Sequence, residues 1–234
     1  MTWSVIVVAK GMWSVTEQFL NTLIETTPNK VLELIYIDNG SPDRESWLNF
    51  CIWSVANKDK IVTRPVLLED SVNLSKAWNL GYQMSTQYKI LICNNDLIFH
   101  KSGWLEAFEN ELQNQEVGIV GMTGMSWQNV AFIQGSIFAF RLERFLAHGE
   151  LGFDERFLFT CEEVDFNHRV QLDGYKIRPL DYLKGEYIEH LEGATRNYYK
   201  DDLIEYQRLA HISRLEFCYK WLGTLGRDDI NIHD

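Results

Sequence analysis

The side chains able to do chemistry fall into a few short clusters. Asp96 closes the run Lys89-Ile90-Leu91-Ile92-Cys93-Asn94-Asn95 and is followed by Leu97-Ile98-Phe99. Its carboxylate therefore projects from a stiff apolar scaffold, which suits a ligand for a divalent cation carrying a diphosphate. Asp38 opens Asp38-Asn39-Gly40-Ser41 after another apolar run; a carboxylate there can accept the imino N–H of a base or a ribose hydroxyl. Glu162, Glu163 and Asp165 crowd three carboxylates into four residues, and their repulsion raises the proton affinity of one towards that of a general base. His190 ends an extended run, and a neutral imidazole beside Asp96 would complete a mixed O/N site for Mn2+ or Mg2+. Each cluster also has a structural reading: an Asn/Asp turn at 94–96, an Asn-Gly hairpin at 39–40, a capping box Thr160-x-x-Glu163, and a lone packing histidine.

The elements that must position these groups follow from hydrophobic pattern. Short β-branched runs predict strands near Trp3–Ala9, Val31–Asp38, Ile61–Leu67 and Lys89–Cys93, and their near-continuous apolarity implies burial on both faces, as in a parallel sheet. Helices are predicted over Val15–Thr26, with Ser14 as N-cap, Arg44–Asn57 and Leu74–Thr86. This alternation predicts right-handed βαβ units whose ligands bind beyond the carboxyl ends of the strands, where Ala9-Lys10-Gly11, Asp38-Asn39-Gly40-Ser41 and Asn94-Asn95-Asp96 converge. The second half is expected to be mixed: a helix near Gly103–Asn114, a strand near Val117–Met122, one long apolar run Val130–Phe140, a turn at Gly152-Phe153-Asp154, a helix near Glu162–Asp173 closed by Gly174, strands near Tyr175–Pro179 and Glu186–His190, and a final helix from Asp201 to about Leu222.

Composition narrows the function. The 234 residues carry 22 Lys+Arg against 33 Asp+Glu, a formal charge of −11, with 46% hydrophobic residues and only 4 Pro. Such a chain buries a core rather than staying disordered, and its acidity disfavours sequence-independent binding to a nucleic-acid duplex. No apolar run reaches the roughly 20 residues that cross a bilayer, and Trp3–Ala9 reads as a core strand rather than a signal peptide. The expected location is cytoplasmic, with a peripheral membrane surface as the second option. The four cysteines, Cys51, Cys93, Cys161 and Cys218, form no CxxC pair and read as reduced core thiols. Neither GxGxxG nor GxxxxGK[ST] follows the first strand, so a dinucleotide site and a P-loop are both disfavoured.

Taken in order, the fragments resemble the family 2 glycosyltransferases of GT-A fold, from about Trp3 to Thr195. Ser4-Val5-Ile6-Val7-Val8 is similar to that family's first strand, and Ile35-Tyr36-Ile37-Asp38-Asn39-Gly40-Ser41-Pro42-Asp43 to its "IVDNGSxD" element. Asn73-Leu74-Ser75-Lys76-Ala77-Trp78-Asn79-Leu80-Gly81 resembles "NxGxxxAxNxG", and Leu91-Ile92-Cys93-Asn94-Asn95-Asp96 the "LLNND" form of the DxD metal motif. Gly152-Phe153-Asp154-Glu155-Arg156-Phe157 with Glu162-Glu163-Val164-Asp165-Phe166 resembles "GFDExFF…EDVDL", and His190-Leu191-Glu192-Gly193-Ala194-Thr195 the late "HxxGxS".

The resemblance implies an α/β fold of GT-A type: a Rossmann-like, mostly parallel sheet flanked by helices, with a mixed C-terminal half. Residues 1–200 would form the catalytic domain, 1–100 binding the nucleotide sugar and 101–200 the acceptor, and 201–234 a C-terminal helix and tail. It implies an inverting enzyme, closest to a rhamnosyltransferase-like subgroup, using Mn2+ or Mg2+ and a nucleotide-diphosphate sugar. Asp96 and His190 would hold the metal. Val8, Ala9, Lys10, Asp38, Asn73, Lys76, Asn79, Asn94 and Asn95 would face the donor, and Glu163, with Glu162 beside it, would be the base. Lys10-Gly11 for the usual Tyr-Asn, Asn94 for the first acid of DxD, and Glu163 for Asp depart from the pattern. The acceptor is a glycan, lipid-linked or other hydroxyl, a nucleic-acid acceptor staying open, and the chain could pair as a homodimer. Trp104 and Trp127 read as packing residues before sugar platforms, and the last helix, with Phe217, Tyr219, Trp221 and Leu222, as packing on its own domain. Nucleotidyl transfer and binding without turnover remain the alternatives.

Overall fold

The computed structural model describes residues 2–28, 31–191 and 203–225. The first half builds β1 (Thr2–Ala9), α1 (Trp13–Thr26), β2 (Val31–Asn39), α2 (Arg44–Ala56), β3 (Val62–Leu68), α3 (Leu74–Met84) and β4 (Lys89–Asn94). The second half adds β5 (Leu97–Phe99), α4 (Trp104–Gln113), β6 (Val117–Gly121), β7 (Gly124–Trp127), β8 (Val130–Ile133), β9 (Ile137–Arg141), β10 (Leu146–Ala147), β11 (Glu150–Leu151), α5 (Glu162–Leu172), β12 (Lys176–Pro179), β13 (Ile188–His190) and α6 (Leu203–Leu225).

Seven strands form one sheet in the order β12-β6-β9-β4-β1-β2-β3, parallel except for β9, which runs antiparallel to β4 and β6. Alternation along each central strand divides the core in two, because successive side chains point to opposite faces. Trp3, Val5, Val7 and Leu91 pack with Phe19 and Leu23 of α1 and Phe108 of α4, whereas Ile6, Ile35, Ile90 and Ile92 pack with Trp78 of α3 and Phe166 of α5. A third cluster joins Val130, Phe157 and Val164 to Phe217 and Trp221 of α6. Helices cover both faces of the sheet, which accounts for strands that are apolar on both sides.

Three local expectations are corrected. Ser14 does not cap α1: Gly11 and Met12 both adopt left-handed conformations, the helix starts at Trp13, and Val15 and Thr16 N–H donate to Met12 O. The run Val130–Phe140 is two strands, since Gln134-Gly135-Ser136 breaks it into β8 and β9. Thr160 does not form a capping box with Glu163, because Thr160 and Cys161 are left-handed (φ 76° and 72°) and α5 begins without a side-chain cap. Trp104 is core, stacked 4.4 Å from Phe99 with its indole N–H on Thr26 Oγ1, and Trp127 packs on Phe217. All four cysteines are free thiols, Cys51 half-buried and the others buried. The expected helix start at Asp201, the residues Glu192 to Thr195 of the late motif and the side chain of Leu222 lie outside the described residues.

The final helix docks through charge as well as apolar area. The inward stripe of α6 is Tyr206, Leu209, Ser213, Phe217 and Lys220-Trp221, at helical spacing, while Tyr219 points outward and is 77% exposed. Lys220 Nζ lies 2.6 Å from Glu150 Oε2, 2.9 Å from Asp154 Oδ2 and 2.8 Å from Asp165 Oδ1. Asp165, fully buried, also accepts from Arg169 Nε at 2.8 Å and Trp221 Nε1 at 2.9 Å. Arg156 caps Asp154 from outside, so three cations face three carboxylates. Burial would raise the Asp154 carboxyl, but hydrogen bonds from Arg156 and Lys220 hold it well below the usual carboxylate range. Removing one member of such a buried set strands its partners. Lys220→Ala should therefore lower the free energy of unfolding by about 3 kcal/mol and expose α6 to limited proteolysis; chemical denaturation with a proteolysis time course checks both.

Candidate functional site

Strand register sets the rim of the site. Ala9 pairs opposite Asp38 and Val8 opposite Asn94, so the chain leaves β1, β2 and β4 along one edge of the sheet. There it lines a cleft of about 680 Å3 with Val8, Ala9 and Lys10 from β1, Asn39, residues 71–74, and Asn94, Asn95 and Asp96. Gln134, Leu158, Phe159, His190, Tyr206 and Leu209 complete the lining.

His190 arrives from far along the chain through a three-residue ladder. β13 pairs antiparallel with β5, setting His190 opposite Leu97, and Leu191 N–H donates to Asp96 O at 3.0 Å. His190 Nε2 ends 3.2 Å from Asp96 Oδ1, with the two side chains 9% and 7% exposed. Asp96 Oδ1 and both ring nitrogens of His190 make no hydrogen bond. Buried polar atoms outside a hydrogen bond are costly; a carboxylate oxygen and an imidazole nitrogen set 3.2 Å apart at the cleft lining fit a divalent cation by donor type. The other carboxylate cluster, Glu150, Asp154 and Asp165, has ligand atoms within 4.8 Å of one another, yet Lys220 Nζ occupies its centre, so it does not fit a metal.

The loops around the cleft are fixed by asparagines and one glycine. Asn39 accepts from Val72 N–H at 2.8 Å and donates to Val72 O at 2.9 Å, and Ser71 Oγ donates to Asn39 O. Gly40, at φ +68°, lies so close to this loop that a Cβ would stand 2.5 Å from Ser71 N, which only glycine tolerates. Asn73 caps α3 by accepting from Lys76 N–H and donates to Glu155 O.

Of the residues expected at the site, Val8, Ala9, Lys10, Asn73, Asn94, Asn95, Asp96 and His190 line the cleft, although the Asn95 amide turns inward to Thr16 Oγ1 at 2.9 Å. Five are not among its lining. Asp38 is wholly buried: Oδ1 accepts Ser41 N–H at 2.8 Å, Oδ2 has no partner, and burial pushes its carboxyl above the ordinary range. Lys76 is exposed on α3. Asn79 staples α3 to the Gly152 turn, accepting from Phe153 N–H and donating to Phe153 O and Glu155 Oε1; its amide is engaged in holding the fold.

Glu162 and Glu163 start α5 just behind the cleft. The Glu163 carboxyl carbon is 3.7 Å from where a Cβ on Gly135 would stand, next to the lining residue Gln134. Oε2 of each glutamate is buried without a partner. Burial raises both carboxyls, Glu162 the more because the Glu163 charge adds to it. The interaction between their charges disfavours both being ionised at once. Sequence reasoning did not single out Asn39, Ser71, Gln134, Leu158, Phe159, Tyr206 or Leu209. Asn39 and Ser71 sit beside or within quoted motifs; the others carry no local signal.

The family description "Glycosyl transferase family 2" matches residues 4–146. No curated protein matches the sequence. Among solved structures, the chain is similar to a mannosyltransferase from Pyrobaculum calidifontis in complex with GDP-Man and Mn2+ (18% identity, TM-score 0.66, covering 76% of this chain and 54% of that one). It is also similar to S. aureus TarS 1-349 (17%, 0.61, 92% and 66%) and to GalNAc-T7 with UDP, GalNAc and Mn2+ (15%, 0.64, 76% and 42%). The chain spans about half to two thirds of the length of the first two. These likenesses show the expected GT-A type of α/β fold. With one family description matching from Ser4 in β1 to Leu146 at the start of β10, more than half of the chain, the chain belongs to glycosyl transferase family 2.

Proposed function

We propose that this chain transfers a sugar from a nucleotide-diphosphate sugar to an acceptor hydroxyl, with inversion. The observation that carries the reading is the buried Asp96–His190 pair at the cleft lining, whose facing Oδ1 and Nε2, 3.2 Å apart, make no hydrogen bond. A divalent cation, Mn2+ or Mg2+, held by those two residues would neutralise the charge that grows on a leaving diphosphate. The solved structures named with GDP-Man, UDP and Mn2+ support that class of donor. The end of β1 and the asparagine-pinned loops at 39–41 and 71–74 would cradle the nucleotide, with Asp38 acting by fixing Ser41 N–H. Glu163 is the proposed base: its carboxylate takes the acceptor hydroxyl proton, the acceptor oxygen bonds to the anomeric carbon, and the sugar–phosphate C–O bond breaks with its electron pair leaving on the diphosphate.

The test is thermal stabilisation against UDP, GDP, dTDP and CMP sugars with and without Mn2+. A metal-dependent rise for one nucleotide class is expected, abolished in Asp96→Ala. No rise with any of the sugars would overturn the donor reading. Glu163→Gln should retain the rise while turnover falls about 10²- to 10⁴-fold, the range for losing a positioned base; undiminished turnover would remove Glu163 from the role.

The glutamate pair also makes a stability prediction. A carboxyl whose folded-state pKa is raised stabilises the fold below its ordinary value of 4.5 and loses that contribution as pH rises through the folded value. Glu162→Gln should therefore gain thermal stability over the wild type, by a margin that widens from pH 5 to pH 8. Melting temperatures across that range check it.

A further inference from the structure

The wall of the cleft that the sheet rim does not supply is apolar and aromatic. Leu158 and Phe159 come from the segment before α5, and Tyr206 and Leu209 from α6. The rings of Phe159 and Tyr206 stack at 5.0 Å and 16°, one ring backing the other, so the pair offers a ring face as its platform, with both rings half-buried at the cleft lining. The platform is braced rather than loose: the Ser213 hydroxyl, fully buried on the same face of α6, accepts both Leu158 N–H at 3.0 Å and Phe159 N–H at 3.1 Å. The left-handed pair Thr160-Cys161 then turns the chain directly into Glu162 and Glu163. Platform and proposed base are therefore four residues apart, on one rigid turn.

We propose that this platform is the acceptor subsite and that it takes a neutral pyranose ring by its C–H face; the proposal rests on the transfer reading above. The chemistry decides among acceptors. Aromatic faces carry negative quadrupole charge and attract the polarised C–H groups of a sugar ring. Apart from His190, the only basic side chain among the described lining residues is Lys10, at the sheet rim, and the chain carries a net −11. A phosphate-bearing lipid or nucleic-acid acceptor meets no cation from the four platform residues, whereas an uncharged ring needs none. A long alkyl chain would call for a deeper apolar groove than four side chains provide.

The test uses saturation-transfer NMR on the full chain with methyl pyranosides (glucoside, galactoside, mannoside, rhamnoside and N-acetylglucosaminide), with decanol as the non-sugar apolar probe. Each is measured with and without Mg2+ and a nucleoside diphosphate. The expected result is transfer to the ring protons of at least one pyranoside. Its affinity should fall about tenfold in Phe159→Ala and Tyr206→Ala, the scale of one lost ring contact, and be retained in Tyr206→Phe. Circular dichroism confirms that each variant is folded. No pyranoside signal, equal affinity in both alanine variants, or decanol competing as well as the sugars would overturn the proposal. Nucleotide stabilisation with no pyranoside effect would sink the platform alone, and pyranoside binding with no nucleotide effect would sink the donor reading alone.

Discussion

Asp165 is the point on which the functional half of this molecule is organised. Its wholly buried carboxylate is shared by Arg169 one turn along α5 and by Lys220 and Trp221 of α6. Arg169 in turn hydrogen-bonds the carbonyls of Ala147, Glu150 and Gly152. A carboxylate in a dry interior is tolerated only when its oxygens are engaged, so three separate pieces of chain, the 147–152 turn, α5 and α6, are obliged to meet there. Glu162 and Glu163 lie on the turn of α5 immediately before it, and their direction is inherited from that meeting. Electrostatic satisfaction in the interior thus sets the geometry of the cleft wall.

The two halves of the fold were unequally legible. Val/Ile-rich runs marked β1, β2 and β4 because burial on both faces leaves a near-continuous apolar signal, whereas β3, expected to be buried in the same way, is the sheet edge and has no buried residue; the Asp43 and Asn73 caps sit where pattern places the helix starts. Ser14 misled because backbone conformation at Gly11 and Met12, not capping chemistry, decides where α1 begins. Thr160 misled for the same reason. Asp38, for which ligand and turn readings were both open, is buried with Oδ1 on Ser41 N–H, a contact by which a strand-end carboxylate holds its own loop. The placement of α6 was hidden by its own composition. Its inward stripe includes Ser213 and Lys220, while Ile204 and Tyr219 face solvent, so apolar periodicity does not reveal the docking face.

The site itself was legible where ligand and scaffold are adjacent in sequence and obscure where they are not. Asp96 could be read from β4 alone. His190 was open as its partner from the strand predicted near Glu186–His190, but a ladder of three residues per strand carries no sequence signal for which strand it pairs with. Phe159 and Tyr206 meet through a side chain accepting two backbone amides, a contact that no local rule anticipates.

That short ladder has an evolutionary consequence. Asp96 and His190, the proposed cation ligands, stand at either end of a long excursion, residues 100–187, closed by β5 and β13 with the His100 N–H to Tyr187 O bond beside them. On the proposed reading, loops between the sheet strands of the excursion can lengthen, shorten or be exchanged, and so change the acceptor, while six paired residues keep Asp96 and His190 in register. On that reading, acceptor choice would drift under selection without rebuilding the residues proposed to handle the donor.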